Sequence, residues 1–383
     1  MRVLHAYRTY FPDTQGGLEE VIRQICLNTQ GLGVESRILS LSPDPKKKVI
    51  RREEGRVYRP KRSIELASCS MSLEAFPYFS RLTQWADIVH YHHPWPFADV
   101  MHFLTGVNKP TVLTYHSDIV RQKILGRIYA PLMHRFLKSV DRIVCTSENY
   151  FATSEVLTRY SDKVEIIPIG VNEHSYPDAE PQLDRKLEQQ FGRDFFLFVG
   201  VLRYYKGLHI LLDAIKGAPY KVVIVGSGPT ELELKKQAEN LGLTNVVFTG
   251  YLPDEEKRGL FNLCSGVVFP SYMRSEAFGV TLLEGAMYGK PLISTEVGSG
   301  TSHVNIDGET GLVVPPGSSK ALRTAMDQMH YRKDMARLMG KRARQRYEKL
   351  FTGELMGKRY SEIYSQLAET PAAAQRSPKS ASN

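Results

Sequence analysis

Two carboxylates eight residues apart, Glu276 and Glu284, are the residues here whose spacing most readily does chemistry. With a helix starting near Gly279, Glu276 sits in the loop at its mouth and Glu284 points from its second turn. An ionised carboxylate so placed accepts two hydrogen bonds from a vicinal diol, as on a ribose or a hexose. Upstream, Arg203 and Lys206 stand in Gly200-Val201-Leu202-Arg203-Tyr204-Tyr205-Lys206-Gly207, between an apolar run and another helical pattern. Two permanent cations at a strand-to-helix junction, backed by the partial positive charge of a helix start, suit a diphosphate. A surface Arg and Lys without function would look the same. Near the N-terminus, Gly16 and Gly17 precede a helical segment and would let backbone approach a phosphate, although a tight turn explains the pair as well.

Histidines supply the other candidates. His116 follows the run Thr111–Tyr115, with Asp118 two residues on. A lone histidine is usually structural, so its position at a strand end is what singles it out. His90, His92 and His93 lead into Pro94-Trp95-Pro96-Phe97. No cysteine or carboxylate completes a metal set there, which favours an acceptor-facing loop with Trp95 as an aromatic sugar platform. Burial of Trp95 in the core is the alternative.

The elements that must position these groups alternate from end to end. Strands are expected at Val3–Ala6, Arg37–Leu41, Ile88–Tyr91, Thr111–Tyr115, Arg142–Thr146 and Val164–Ile167. A second series runs Phe195–Val199, Val222–Val225, Val246–Thr249, Val267–Pro270 and Leu292–Thr295. Between them, segments such as Leu18–Thr29, Arg121–Lys138, Leu208–Ile215, Thr230–Leu241 and Val280–Tyr288 carry apolar residues at helical spacing. Several strands are apolar on both faces, as in a parallel sheet covered by helices on both sides, so the pattern reads as α/β with two doubly wound sheets. In such sheets ligands sit at the C-terminal strand ends, where every candidate above falls.

The 383 residues favour two domains, and 42% hydrophobic with 24% charged residues excludes a disordered or fibrous chain. The expected organisation is an N-terminal domain over 1–175, a polar linker over 176–194 and a C-terminal domain over 195–350. A helix over 351–369 would dock back on the first domain, and an Ala/Ser/Pro/Gln-rich tail over 370–383 would be disordered. Cys26, Cys69, Cys145 and Cys264 are far apart and read as reduced core thiols. No apolar run is long enough to span a membrane and the start lacks a signal peptide, so a cytoplasmic protein is expected. The net charge of +9 is uneven, with nine Lys or Arg between Lys46 and Arg62 against Glu53 and Glu54. Such a patch attracts anionic lipid, phosphorylated substrate or nucleic acid, or is simply solvated. Nucleic acid is disfavoured, since no aromatic-interleaved RNA motif, zinc finger or helix-turn-helix accompanies the charge.

Glu276 to Glu284 matches the E-x7-E signature of retaining, nucleotide-sugar-dependent glycosyltransferases. The order of Gly16-Gly17, His116, Arg203 with Lys206 and the two glutamates resembles glycosyltransferase family 4 with the GT-B fold, from Met1 to about Glu369. More narrowly, Leu202-Arg203-Tyr204-Tyr205-Lys206-Gly207 and Gly298-Ser299-Gly300-Thr301-Ser302 look like bacterial mannosyl- and rhamnosyltransferases of O-antigen assembly. The resemblance implies two Rossmann-like domains facing a central cleft. It implies that Arg203 and Lys206 neutralise the donor diphosphate, that Glu284 holds the ribose hydroxyls, and that Glu276 with the backbone of Phe278, Gly279 and Val280 binds the donor sugar. Gly16 and Gly17 would face the phosphate from the other lobe, and His116 would contact the donor sugar and the reaction centre. Tyr251, Leu252 and the turn from Gly226 to Pro229 would lie beside the base, though a turn and a helix cap explain them almost equally. Asp13, His92, His93, Trp95 and Asp118 would serve the acceptor side.

The implied chemistry is transfer with retention from GDP-mannose or GDP-D-rhamnose, with a UDP-sugar as runner-up, to a glycan on a polyprenyl diphosphate lipid. No D-x-D motif is present, so no metal and no cofactor beyond the sugar nucleotide are expected. The stretch Lys46–Arg62 would hold the enzyme to the anionic cytoplasmic face of the inner membrane. Three rivals remain. A dinucleotide-dependent oxidoreductase would share the fold but lacks a full G-x-G-x-x-G after the first strand. A non-catalytic sugar-nucleotide or nucleic-acid binder would not need both glutamates, and an epimerase would consume no acceptor.

Overall fold

A computed structural model describes residues 1–119, 123–176 and 181–369. The tail expected to be disordered, 370–383, lies outside the described residues. The chain divides into two compact units, one of Met1–Thr146, Ser154–Pro168 and the chain from Gly353, the other of Ser147–Thr153 and Ile169–Thr352.

Among the described residues ten strands belong to the first unit: β1 (Arg2–Ala6), β2 (Glu35–Leu39), β3 (Val49–Arg52), β4 (Gly55–Tyr58), β5 (Ile64–Leu66), β6 (Cys69–Met71), β7 (Ile88–His93), β8 (Thr111–Tyr115), β9 (Arg142–Cys145) and β10 (Val164–Ile166). Eight form one sheet in the order β10-β9-β8-β7-β1-β2-β4-β3, parallel throughout except that β3 runs against β4. Strands β5 and β6 make a separate hairpin. Strands β3 and β4 carry no clear signal in the sequence, because they are short, basic and half exposed at the sheet edge. The order reverses between β1 and β7, where connections leave in opposite directions and open a crevice at the C-terminal strand ends. On this unit the helix Gly353–Glu369 lies against the helix Gly17–Gln30. A Cβ added at Gly353 or Gly357 would come within 2.5 Å of Asn28 atoms, so the two backbones touch.

The second unit carries β11 (Phe196–Val199), β12 (Val222–Val225), β13 (Val246–Gly250), β14 (Gly266–Phe269), β15 (Leu292–Thr295) and β16 (Gly311–Val314). They form one all-parallel sheet, β13-β12-β11-β14-β15-β16, with its reversal between β11 and β14. The residues of β11, β12, β14 and β15 are all buried, which is why these strands read as unbroken apolar runs. The expected linker over 176–194 needs correcting. Residues Pro181–Phe191 form a helix of this unit that packs on the helix Asp254–Leu263, with Leu187 against Gly259 and Phe191 also buried. Only those two of its side chains are fully buried, so its composition imitates a solvated connector. The change of unit falls earlier, between Pro168 and Ile169. Among the described residues no helix is long and apolar enough to cross a membrane.

Candidate active site

In the second unit the loops leaving four neighbouring strands are stitched into one row. The amide of Tyr272, past β14, donates to the carbonyl of Tyr205, past β11, at 3.0 Å. Leu202 N–H donates to Ser227 O at 3.0 Å, and Gly226 N–H to Gly250 O at 2.7 Å, which ties in the ends of β12 and β13. Glycine is required twice for this. Gly207 has φ +70°, and a Cβ there would meet the carbonyl of Pro270 at 2.0 Å. Gly226 has φ +126°, and its Cβ would meet the carbonyl of Gly200 at 2.0 Å.

Lys206 and Glu276 meet in this row. Lys206 Nζ donates to Glu276 Oε2 at 2.5 Å, and the two side chains are 12% and 10% exposed. Ser271 Oγ donates to the same carboxylate oxygen at 3.1 Å, and the Lys206 ammonium lies 4.5 Å from the Phe269 ring centre. Arg203 is exposed one turn away. The helix Val280–Met287 begins directly after Phe278 and Gly279, and Thr281 Oγ1 anchors its first turn to the carbonyl of Val199 at 2.9 Å. Its free N–H groups therefore face the edge that carries Lys206. Glu284, in the second turn as expected, is buried and accepts from the hydroxyl of Tyr176 at 2.9 Å. Tyr251 is exposed and Leu252 half-buried just past β13. A cation, a carboxylate and a helix N-terminus thus meet at one strand edge, with Glu284 a turn further along the same helix, which suits a phosphorylated, polyhydroxylated ligand.

The first unit brings some of its candidates together and disperses others. His92 and His116 are in contact, with His92 Nδ1 3.0 Å from His116 Nε2. The expectation of an acceptor-facing loop at His92 and His93 does not hold. Both lie within β7, fully buried, because this strand is central and covered on both faces. His93 stacks on Tyr115 with ring centres 4.4 Å apart, and neither of its nitrogens has a partner. Trp95 is no sugar platform either: it is 1% exposed, with Nε1 donating to Ser70 O at 2.9 Å. Asp13 is committed to Arg59, whose Nη2 and Nε donate to its two oxygens at 2.5 and 2.9 Å. Asp118 accepts from Tyr115 and Ser154 hydroxyls, each at 2.9 Å. Gly17 opens the helix Gly17–Gln30 and Gly16 caps it. Glu19 in that first turn accepts from Thr9 and Thr14, so a carboxylate already answers the helix dipole. The basic stretch is thinner than its count, since Arg59 is buried and Lys48, Arg52 and Arg62 pair with Glu74, Glu54 and Glu65. Lys46, Lys47, Arg51, Arg56 and Lys61 are exposed.

Burial drives the imidazoles of this unit toward neutrality. It pushes His5, His93 and His116 down to about 3, and His90 and His92 well below the usual histidine value. Nitrogens of His5, His90 and His92 lie within 4.8 Å of one another. His90 is nonetheless engaged by Tyr364 and Thr114, each at 2.7 Å, and His92 by His5 and His116. Only Nε2 of His5 is left, too few donors for a metal without breaking the network. His5, Ser271 and Tyr176 escaped the sequence reading. Ser271 could have been found as a residue just past a strand. His5 and Tyr176 have no local signal, since their partners are 87 and 108 positions away.

An all-parallel unit aiming cation, acid and helix dipole at its switch point is a nucleotide-binding architecture. Residues 15–175 match the family described as Glycosyltransferase Family 4, and residues 180–346 match Glycosyl transferases group 1. The D-rhamnosyltransferase WbpZ of Pseudomonas aeruginosa is 53% identical over 92% of both chains. The O-antigen chain mannosyltransferase C of Escherichia coli is 46% identical over 97% of this chain and all of its own. In fold, sucrose-phosphate synthase from Thermosynechococcus elongatus aligns with TM-score 0.79 at 21% identity, covering 96% of this chain and 98% of its own. The chain belongs to this glycosyltransferase family, has the GT-B fold and is a sugar-transferring enzyme.

Proposed function

We propose that the enzyme moves an α-linked mannose or D-rhamnose from a GDP-sugar to a glycan carried on polyprenyl diphosphate, in the synthesis of O-antigen or a related surface polysaccharide. The two relatives named for D-rhamnosyl and O-antigen mannosyl transfer support the sugar class. The observation that carries the chemistry is the Lys206–Glu276 contact at the mouth of the helix Val280–Met287. Lys206, Arg203 and the helix N–H groups neutralise the donor diphosphate as the bond from the anomeric carbon to its oxygen breaks. Glu276 and the backbone of Phe278, Gly279 and Val280 hold the sugar, and Glu284 takes the ribose hydroxyls. His116 we assign to the donor sugar. The acceptor oxygen bonds to the anomeric carbon on the face the diphosphate leaves, giving retention, and a departing phosphate oxygen takes the acceptor proton. Neither metal nor resident cofactor enters these steps. Gly16, Gly17, Gly226, Tyr251 and Leu252 complete the donor assignment.

A nucleotide panel in a thermal-shift assay tests the donor, because a ligand at 100 times its dissociation constant adds about 2.7 kcal/mol. GDP should shift the transition while UDP, ADP and NAD do not; a shift with UDP alone overturns the GDP reading. Transfer from GDP-mannose and GDP-D-rhamnose to a synthetic polyprenyl-diphosphate glycan, with the product anomer read by NMR, tests the rest. A β-linked product removes retention. Peripheral binding to anionic membrane at the cytoplasmic face rests on Lys46, Lys47, Lys48 and their neighbours. Liposome flotation indifferent to salt and to neutralising those three lysines overturns it.

A further inference from the structure

Three imidazoles of the first unit form one hydrogen-bonded row that the proposed mechanism leaves unused beyond its last member. His5 on β1 and His92 on β7 are joined Nδ1 to Nε2 at 3.2 Å, and His92 Nδ1 reaches Nε2 of His116, just past β8, at 3.0 Å. Successive rings are nearly coplanar in tilt, with interplanar angles of 22° and 18°. All three are buried and held neutral by desolvation. His90 stands outside the row, both its nitrogens being taken by Tyr364 and Thr114.

A neutral imidazole has one N–H and one bare nitrogen, so a row of three can run in only two directions. If His116 donates from Nε2, each ring passes its donor onward and the last N–H falls on Nε2 of His5. That atom is buried with no acceptor. If the row runs the other way, His5 Nδ1–H donates to His92 and His92 Nδ1–H donates to His116. The unpartnered atom of His5 is then only a lone pair, and the proton of His116 lies on Nδ1. Orphaned buried N–H groups are rarer than under-used acceptors, which selects the second direction. Nδ1 of His116 is not among the buried unpartnered atoms, and no described residue bonds it.

We propose that His5 and His92 are positioning residues that lock His116 in its Nδ1–H tautomer, so that His116 offers a hydrogen-bond donor rather than a base. Its ligand is then an oxygen acceptor on the sugar or its phosphate, an extension that rests on the assignment of His116 to the donor.

Long-range 1H–15N correlation of the full chain carrying 15N-histidine reads the tautomers directly. His116 should carry its proton on Nδ1, with Nε2 bare. His92→Leu should give mixed tautomers at His116, and His92→Asn, whose amide N–H replaces Nδ1–H, should restore the single form. In the transfer assay His92→Leu should lower kcat about tenfold, the worth of one hydrogen bond, with the donor KM little changed and His92→Asn recovering most of it. A wild-type His116 protonated on Nε2, or one unmoved in tautomer by His92→Leu, overturns the proposal. Should that variant not fold, His5→Phe must produce the same mixing. Full transfer by His116→Ala would remove His116 from the donor site while leaving the tautomer lock standing, so the two readings fail separately.

Discussion

Lys206 is held by Glu276, the carboxylate proposed to bind the donor sugar. The 2.5 Å contact to Glu276 fixes the ammonium at the strand edge, and Ser271 keeps the carboxylate from turning away. Lys206→Met keeps an unbranched side chain of similar length and deletes the charge that lies over Phe269. Turnover should fall about 10²- to 10³-fold, the usual loss when one preorganised donor to a developing charge is removed. Native circular dichroism with near wild-type transfer would show that the cation is not part of the reaction. Glu284→Gln keeps an oxygen to accept from Tyr176 and loses the charge offered to a diol. The donor KM should rise about tenfold with little change in kcat, since hydrogen bonds to charged groups are worth about 1.5–3 kcal/mol. Equal loss in kcat and kcat/KM would place Glu284 at the reacting bond instead.

At the scale of elements, the site is a set of loops whose spacing is set by backbone contacts rather than by side chains. Gly207→Ala should displace the Lys206 loop from Pro270, because the new Cβ overlaps a carbonyl oxygen that cannot give way. Reduced donor affinity together with a lower melting temperature is expected; unchanged values for both would mean that the loop has another way to close. The helix Gly353–Glu369 depends on a similar approach, through Gly353 and Gly357 to Asn28, and on Tyr360 and Tyr364 reaching Thr114 and His90. Gly357→Leu should pry it off, and limited proteolysis near its start should accelerate several-fold. These contacts join residues that share no local pattern, so a reading of periodicity finds the helix but not what it covers.

For the molecule as a whole, the six buried histidines among the described residues, His5, His90, His92, His93, His102 and His116, set how folding responds to acid. The unfolded chain binds protons at these imidazoles near pH 6.5, whereas the folded chain refuses them at His5, His93 and His116 until about 3. The folded state therefore binds fewer protons between those values, and stability present above pH 6.5 is lost as the pH falls, by up to about 1.4 kcal/mol per pH unit for each group. His93→Phe keeps the stack on Tyr115 and removes two unpartnered nitrogens, so denaturant midpoints should fall less steeply between pH 7 and 5. A slope equal to that of the wild type would show that His93 titrates freely when folded. Alternating β-branched and helical runs were enough to read two doubly wound sheets, because strands buried on both faces are mostly apolar. The E-x7-E pair and the strand-end cations stood out as candidates for a different reason, since strand ends carry ligands in this architecture. Strand order and register decided the remainder. They sank Trp95, His92 and His93 into the core and paired His5 with His90 across β1 and β7. They also gave Glu284 to Tyr176. A local pattern records which face of an element is apolar, whereas the neighbour met by that face is fixed only when distant segments pack.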